Sequence, residues 1–385
     1  MNEINPHDQS EHDASRRKFF STAALAGAAV MAAPMAMTQS QESTQDYSNI
    51  TGYTGDVIQG IPVISELKID ELEAGKTHRF WFQGASNGAS QYWYVPVIVV
   101  KGKNPGKTVG MQAMIHGDEV NGVKVIQRLT SELKPETMSG TVIAAPTVNI
   151  TGLLANNRNW QFTNDGGSMV DFNRVWPGKE IGTVADQHAY LLYHKLWQKN
   201  VNAFIDLHTQ TRGTVYPLML YVDPRHEPSK TIAFLVPADD IMCDDDPGTG
   251  PVEQAFVADN IASITMEIGS AKQYQPEYID RALVGLKNII SHYGIIADPI
   301  GQTSKEAGTF IGLKMTSIRA QVGGFADILV KLGDMVTKGQ LVAVQRNVFG
   351  DIIKEYHATY DGKVLSLGSD PIRESNSLLV RILYN

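Results

Sequence analysis

Two apolar runs that each stop at a histidine constrain this chain more than any other feature. Val109 to Ile115 is apolar and reads as a buried strand, followed by His116-Gly117-Asp118-Glu119. Val201 to Leu207 reads as a second such strand and ends at His208. Val120 to Leu129 reads as a helix, so His116 is expected at a strand's carboxyl end and Glu119 on the first helical turn. In open α/β sheets, that crevice is where ligands bind. Two imidazoles and a carboxylate meeting there form the open three-donor set of a catalytic zinc, whose fourth position is left for water. Such a site makes a hydroxide-like nucleophile near neutral pH and polarises a carbonyl. Amide or ester hydrolysis is the reaction to expect. Each half alone says little. An HxxE is common at a solvated helix start, and a lone His208 reads equally well as a hydrogen-bonded core residue. Asp206, two residues earlier in its strand, is placed to orient an imidazole.

Three further segments carry chemistry. Pro146-Thr147-Val148-Asn149-Ile150-Thr151-Gly152 leads to Arg158. Asp171-Phe172-Asn173-Arg174 sets polar groups inside an apolar run that ends in a turn at Trp176-Pro177-Gly178. Ile264-Thr265-Met266-Glu267-Ile268-Gly269 places one carboxylate within an apolar strand. Desolvation there raises a glutamate's pKa, which suits a general base. Structural alternatives stand beside these: Arg174 as an ion-pair partner of Asp171, and Glu267 as a paired carboxylate at a strand edge.

Taken in order, these segments resemble the succinylglutamate desuccinylase/aspartoacylase family, a branch of the zinc carboxypeptidase superfamily. The resemblance rests on AMIHGDEVNG (113–122), PTVNITGLLANNR (146–158), DFNRVWPG (171–178), FIDLHTQTRG (204–213) and TMEIG (265–269). It covers roughly residues 55 to 300, with a matching C-terminal module beyond; five ordered motifs are far more specific than any one. It implies that His116, Glu119 and His208 bind one zinc ion. Glu267 would be the general base that later protonates the leaving amine, and Arg158 would steady the scissile carbonyl and its oxyanion. Asn173 and Arg174 would grip a substrate carboxylate; a guanidinium fork does this bidentately. The family often has Asn-Pro where this chain has Asn149-Ile150, which touches turn stiffness rather than chemistry. The segment from Arg158 to Asn173, polar and Gly-rich at Asn164 to Gly167, reads as a mobile loop, and Arg212 as a surface residue.

The front of the chain reads as an address. An acidic start gives way to Ser15-Arg16-Arg17-Lys18-Phe19-Phe20 and an Ala-rich apolar run to Ala36. Paired arginines before a short hydrophobic run read as a bacterial twin-arginine export signal, cleaved between Ala32 and Ala36. The run is too short and weak for a membrane span. The expected partition is signal 1–36, flexible leader 37–50, catalytic domain 51–300 and a β-rich module 301–385. Cys243 is the only cysteine, so no intramolecular disulfide forms. A net charge of −8 without a basic patch argues against nucleic acid as a partner.

Alternating strand and helix patterns predict a mixed, mostly parallel sheet flanked by helices. Helices are expected over Val184 to Lys199 and Asp280 to Tyr293, and the acidic stretch from Asp239 to Asp246 as a solvated loop. Beyond Thr303, short strands between Gly-containing turns predict a small all-β module resembling a barrel-sandwich hybrid. Its Ile353-Lys354-Glu355 lacks the bracket of a lysine carrier, so the module is expected to pack at the active-site mouth or to mediate association.

The favoured reading is an exported, periplasmic or secreted zinc hydrolase that cleaves a linear amide of an N-acyl amino acid or similar small carboxylate-bearing substrate. A peptide-trimming metallocarboxypeptidase shares every catalytic residue. A periplasmic binding protein that has lost catalysis is the reading from another class.

Overall fold

The computed structural model describes residues 47, 50, 52–161, 169–245, 248 and 250–385. The export signal, nearly all of the leader, residues 162–168 of the expected mobile loop and Asp246 lie outside the described residues. The ends of that loop are packed rather than mobile, with Trp160 and Phe172 fully buried and Trp160 bridged to Val170.

Eleven strands form one sheet. In chain order the first seven are β1 (Tyr53–Ile58), β2 (Ile61–Ile64), β3 (Lys76–Ser86), β4 (Tyr92–Lys101), β5 (Asn104–Ala113), β6 (Ser139–Ala145) and β7 (Ala203–Gln210). After β8 (Thr214–Val215), which belongs to another sheet, come β9 (Leu218–Val222), β10 (Asp240–Cys243), β11 (Ala262–Ser270) and β12 (Phe310–Gly312). Their spatial order is β1-β2-β3-β4-β6-β5-β7-β11-β9-β10-β12. The central β6-β5-β7-β11 block is parallel throughout, and β4 and β9 flank it antiparallel. Strands buried on both faces read as continuous apolar runs, which is why β5 and β7 were legible. Two separate apolar cores confirm that both faces are covered. One contains Val125, Leu129, Leu286 and Ile289 from helices α1 (Asn121–Glu132) and, further along the chain, Pro276–His292. The other contains Trp160, Phe172, Trp197 and Phe204.

Local boundaries depart from the sequence reading in three informative places. His208 lies inside β7, which runs two residues further and is buried along its whole length. Glu119 precedes α1 by two residues rather than lying on its first turn. The helix expected over Val184 to Lys199 is α-helical only to Leu191 and then widens to a π-helix over Leu192–Trp197. Trp197 and Tyr193 of this segment are fully buried.

The acidic stretch is not a solvated loop throughout. Asp239 is ion-paired with Arg281 at 2.9 Å, and Asp240 opens strand β10 fully buried. Lys363 Nζ, from the C-terminal region, stands 2.8 Å from Asp240 Oδ1.

The C-terminal region forms two antiparallel sheets around its own core of Val342, Tyr356, Val364, Leu379 and Ile382. One sheet contains Lys314–Arg319, Leu378–Tyr384 and Gly362–Gly368, and β8 of the catalytic part pairs with the last of these. No helix among the described residues is long and apolar enough to cross a membrane.

Candidate active site

Strand β5 ends when Met114 adopts φ 56°, a left-handed conformation that costs a non-glycine residue about 1 kcal/mol or more. The kink turns the following residues across the carboxyl end of the sheet. The segment is then tied to the loop after β6. Asn149 donates from Nδ2 to the Ile115 carbonyl at 3.0 Å, and the Gly117 N–H donates to the Arg158 carbonyl at 3.1 Å. Gly117 has no substitute here, because a Cβ would lie 2.0 Å from the Gly152 carbonyl carbon. The close approach of these two loops brings Arg158 to the site.

His116, Glu119 and His208 converge. Each offers one donor atom, and the three atoms lie within 4.8 Å of one another. All three residues are buried, with exposures of 1–2 %. Glu119 lies between the imidazoles, with Oε1 2.9 Å from His116 Nδ1 and Oε2 2.9 Å from His208 Nδ1. The far nitrogen of each ring is held by a carboxylate: His208 Nε2 by Asp206 at 2.6 Å, and His116 Nε2 by Asp171 at 3.1 Å. An acid on the outer nitrogen fixes the tautomer and turns the other nitrogen's lone pair inward. The structure thus gives Asp206 the orienting role that its spacing suggested. It gives Asp171 the same role on the other ring, and Asp171 pairs with His116 and Arg158, not with Arg174.

Charge follows geometry. Burial opposes ionisation of Glu119, but His116 and His208 overcome it and hold the carboxyl well below its usual range. Burial likewise opposes a charge on His208, yet Asp206 and Glu119 push its pKa well up. Asp171 is also held down, its burial outweighed by His116 and Arg158.

Glu267 stands on β11 directly across from His208 on β7. Burial raises its pKa to about 7, and its Oε2 has no hydrogen-bond partner. It is not the ion-paired strand-edge carboxylate of the alternative reading. Arg158 donates from Nη1 to Glu119 Oε1 at 3.0 Å and to Thr211 Oγ1 at 2.9 Å. Asn173 accepts from the Val252 N–H at 2.9 Å, and its Nδ2 lies 3.5 Å from His208 Nε2. Arg174 donates to the Asn173 carbonyl at 2.7 Å. Arg212 is exposed, as expected.

These residues line a cavity of about 340 Å³, the size of a small-molecule site. His116, Arg158, Asn173, Arg174, His208 and Glu267 all face it. Its remaining wall was invisible to sequence reasoning. Tyr216 and Tyr221 share a hydrogen bond of 2.9 Å between their hydroxyls. Arg381, from the C-terminal module, donates to Tyr216 and places its guanidinium 5.8 Å from that ring's centre. The module therefore packs at the active-site mouth. Glu253 also lines the cavity and carried no sequence signal, since it is one acid in an ordinary helical turn.

A mixed sheet carries a buried His-Glu-His cluster that could hold a metal ion beside the half-buried Glu267, an arrangement suited to a hydrolase. Residues 105–293 match the family model described as the succinylglutamate desuccinylase/aspartoacylase catalytic domain. That match spans the part of the chain that carries the site, and the protein is an enzyme of the hydrolase class. An N-alpha-acetyl-L-2,4-diaminobutyric acid deacetylase of Halomonas elongata is 27 % identical over 307 residues, which is 76 % of this chain and 87 % of the relative. Among solved structures, the product-bound ectoine utilization protein of Ruegeria pomeroyi superposes with a TM-score of 0.72 at 19 % identity, covering 82 % of this chain and 97 % of that one. A succinylglutamate desuccinylase/aspartoacylase of Rhodobacter sphaeroides gives 0.69 at 20 % identity, covering 83 % and 98 %. These likenesses establish the expected fold, including the β-rich C-terminal region.

Proposed function

We propose that this protein is an exported, zinc-dependent deacylase that releases the amine from an N-acyl amino acid. The observation that carries the reading is the buried donor set itself. His116 Nδ1 is buried without a hydrogen bond although a Glu119 oxygen lies 2.9 Å away. Two imidazole nitrogens and a carboxylate oxygen that converge within 4.8 Å in a buried site fit a divalent cation, which would take the place of the His208–Glu119 hydrogen bond. His116, Glu119 and His208 would hold it, with Asp171 and Asp206 locking the rings. Bound there, zinc would supply Lewis acidity toward the scissile carbonyl and the activation of water.

The remaining steps belong to the chain. Glu267 takes a proton from the attacking water and returns it to the leaving nitrogen. A carboxyl raised to about 7 is matched to both tasks near neutral pH. Arg158 directs its guanidinium at the oxygen on which negative charge develops. Arg174 holds the substrate's carboxylate, and Asn173 braces the turn that presents it. The relative from Halomonas elongata, named for deacetylating an N-acyl amino acid, supports this substrate class over peptide ends. Export rests on the twin-arginine sequence at Arg16 and Arg17.

The test is Glu267→Gln in the zinc-loaded protein. Metal content is expected to stay at one per chain while kcat for an N-acetyl amino acid falls by about 10²–10⁴. A metal-loaded variant with full activity would falsify the role.

A further inference from the structure

Most charged groups facing the cavity already have a charged partner or a task, whereas Glu253 has only its own backbone N–H and the Thr265 side chain as polar neighbours. It sits in the first turn of the helix Val252–Ala258, is only 8 % exposed, and its Oε2 has no hydrogen-bond partner. Among the described residues no Lys, Arg or His is ion-paired with it. The nearby Asp223 differs, because Arg225 grips it through two nitrogens at 2.9 and 2.6 Å. Burying a carboxyl without a charged partner is costly, and folded proteins retain such groups where a ligand completes them.

Its position relative to the carboxylate anchor is fixed. The Val252 N–H donates to Asn173 Oδ1 at 2.9 Å, which ties the first residue of this helix to the Asn173–Arg174 turn. Gly250 packs so closely on the Arg174 carbonyl that a Cβ would lie 2.6 Å from it. A cationic anchor and an unpaired carboxyl thus stand on adjoining segments of one cavity wall. That pairing suits a molecule carrying a carboxylate and, a few bonds away, an ammonium.

Resting on the deacylase reading above, we propose that Glu253 is a specificity-determining residue that receives an ammonium at the end of the substrate's side chain. The preferred substrates are then N-acyl diamino acids. An ammonium brings both a charge and hydrogen-bond donors to Glu253. A methyl of the same size brings neither and leaves the carboxyl unpaired, the condition under which sites discriminate most strongly. A charge-assisted hydrogen bond corresponds to a preference of about tenfold or more.

The experiment compares N-acetyl-2,4-diaminobutyrate with N-acetylnorvaline, which replaces the ammonium by a methyl. The wild-type enzyme is expected to favour the first in kcat/KM by about tenfold or more. In Glu253→Gln that ratio collapses toward one. Glu253→Asp draws the carboxylate back by one methylene, so it keeps the ammonium preference but moves it toward N-acetylornithine. A merely structural role would lower all three substrates alike, and that result overturns the proposal, as does a wild-type enzyme indifferent to the ammonium. Calorimetry with free 2,4-diaminobutyrate and norvaline gives a readout without turnover. Selective binding lost in Glu253→Gln, with no hydrolysis of any substrate, would sink the deacylase reading and leave the subsite standing. Hydrolysis without ammonium preference would do the reverse.

Discussion

His188 offers the sharpest test of how the core around the site is held. Its ring is fully buried, with Trp160 and Phe172 at 4.9 and 5.7 Å between ring centres. Nε2 donates to the Val148 carbonyl at 3.1 Å, and Nδ1 accepts the Ala85 N–H at 3.2 Å. Both nitrogens are therefore committed, and only the neutral ring fits. Protonating Nδ1 would set one N–H against another. Burial lowers the pKa from 6.5 to about 4, despite the opposing bond to Val148. The sign follows directly. The unfolded chain takes up a proton near pH 6.5 and the folded one only near 4, so this contribution is complete above 6.5 and is lost as pH falls through that window. That difference is worth about 3 kcal/mol in all, most of it gone by pH 4.5. The perturbation is His188→Gln, which removes the titration. Urea unfolding of both proteins in chelator at 25 °C, from pH 7.5 to 4.5, gives the stability difference at each pH. The variant should start less stable by about 1–3 kcal/mol, and the deficit should shrink by about 2–3 kcal/mol at the acid end. Other titrating groups cancel in the difference. A deficit that stays constant across the range would refute the neutral buried histidine. The consequence reaches the site, because Val148 precedes Asn149, whose side chain holds the His116 segment.

Three other outcomes are expected. Asp206→Asn keeps the shape beside His208 but removes the charge, so zinc affinity measured by chelator competition should fall about 10–100-fold; unchanged affinity would deny Asp206 its orienting role. Gly117→Ala forces a methyl into the Gly152 backbone and should cost about 1–3 kcal/mol in urea unfolding, with loss of bound metal; a fully stable, metal-loaded variant would show that the two loops separate freely. Replacing Arg16 and Arg17 together by lysine should hold the protein in the cytoplasm on cell fractionation, whereas unaltered export would discard the twin-arginine reading.

The legible part of the site is that written in short stretches of chain. His116 and Glu119 are three residues apart, Asp206 and His208 two, and each pair sits where an apolar run changes grammar. Such spacing needs no knowledge of the fold. The boundaries were less legible, because hydrogen bonding to neighbours decides where a strand stops. β7 extends past His208 since β11 continues to pair with it as far as Glu267 and Ser270. Asp239 and Asp240 read as loop because acids are usually solvated, and only the facing Arg281 and Lys363 make their burial tolerable.

By itself the sequence determined the chemistry available: which side chains could hold a cation, which acid lies in an apolar strand, and which segments alternate into a layered sheet. Tertiary structure alone decided which of them meet. The order β5-β7-β11 sets His208 and Glu267 side by side across 59 residues of chain, and a turn at Asp171 reaches back to His116 across 55. Arg381 arrives from a separate β-module, and Glu253 from a helix whose own sequence is unremarkable. Periodicity reports the faces of one element, whereas such meetings depend on strand order and on how loops pack, which no local pattern encodes.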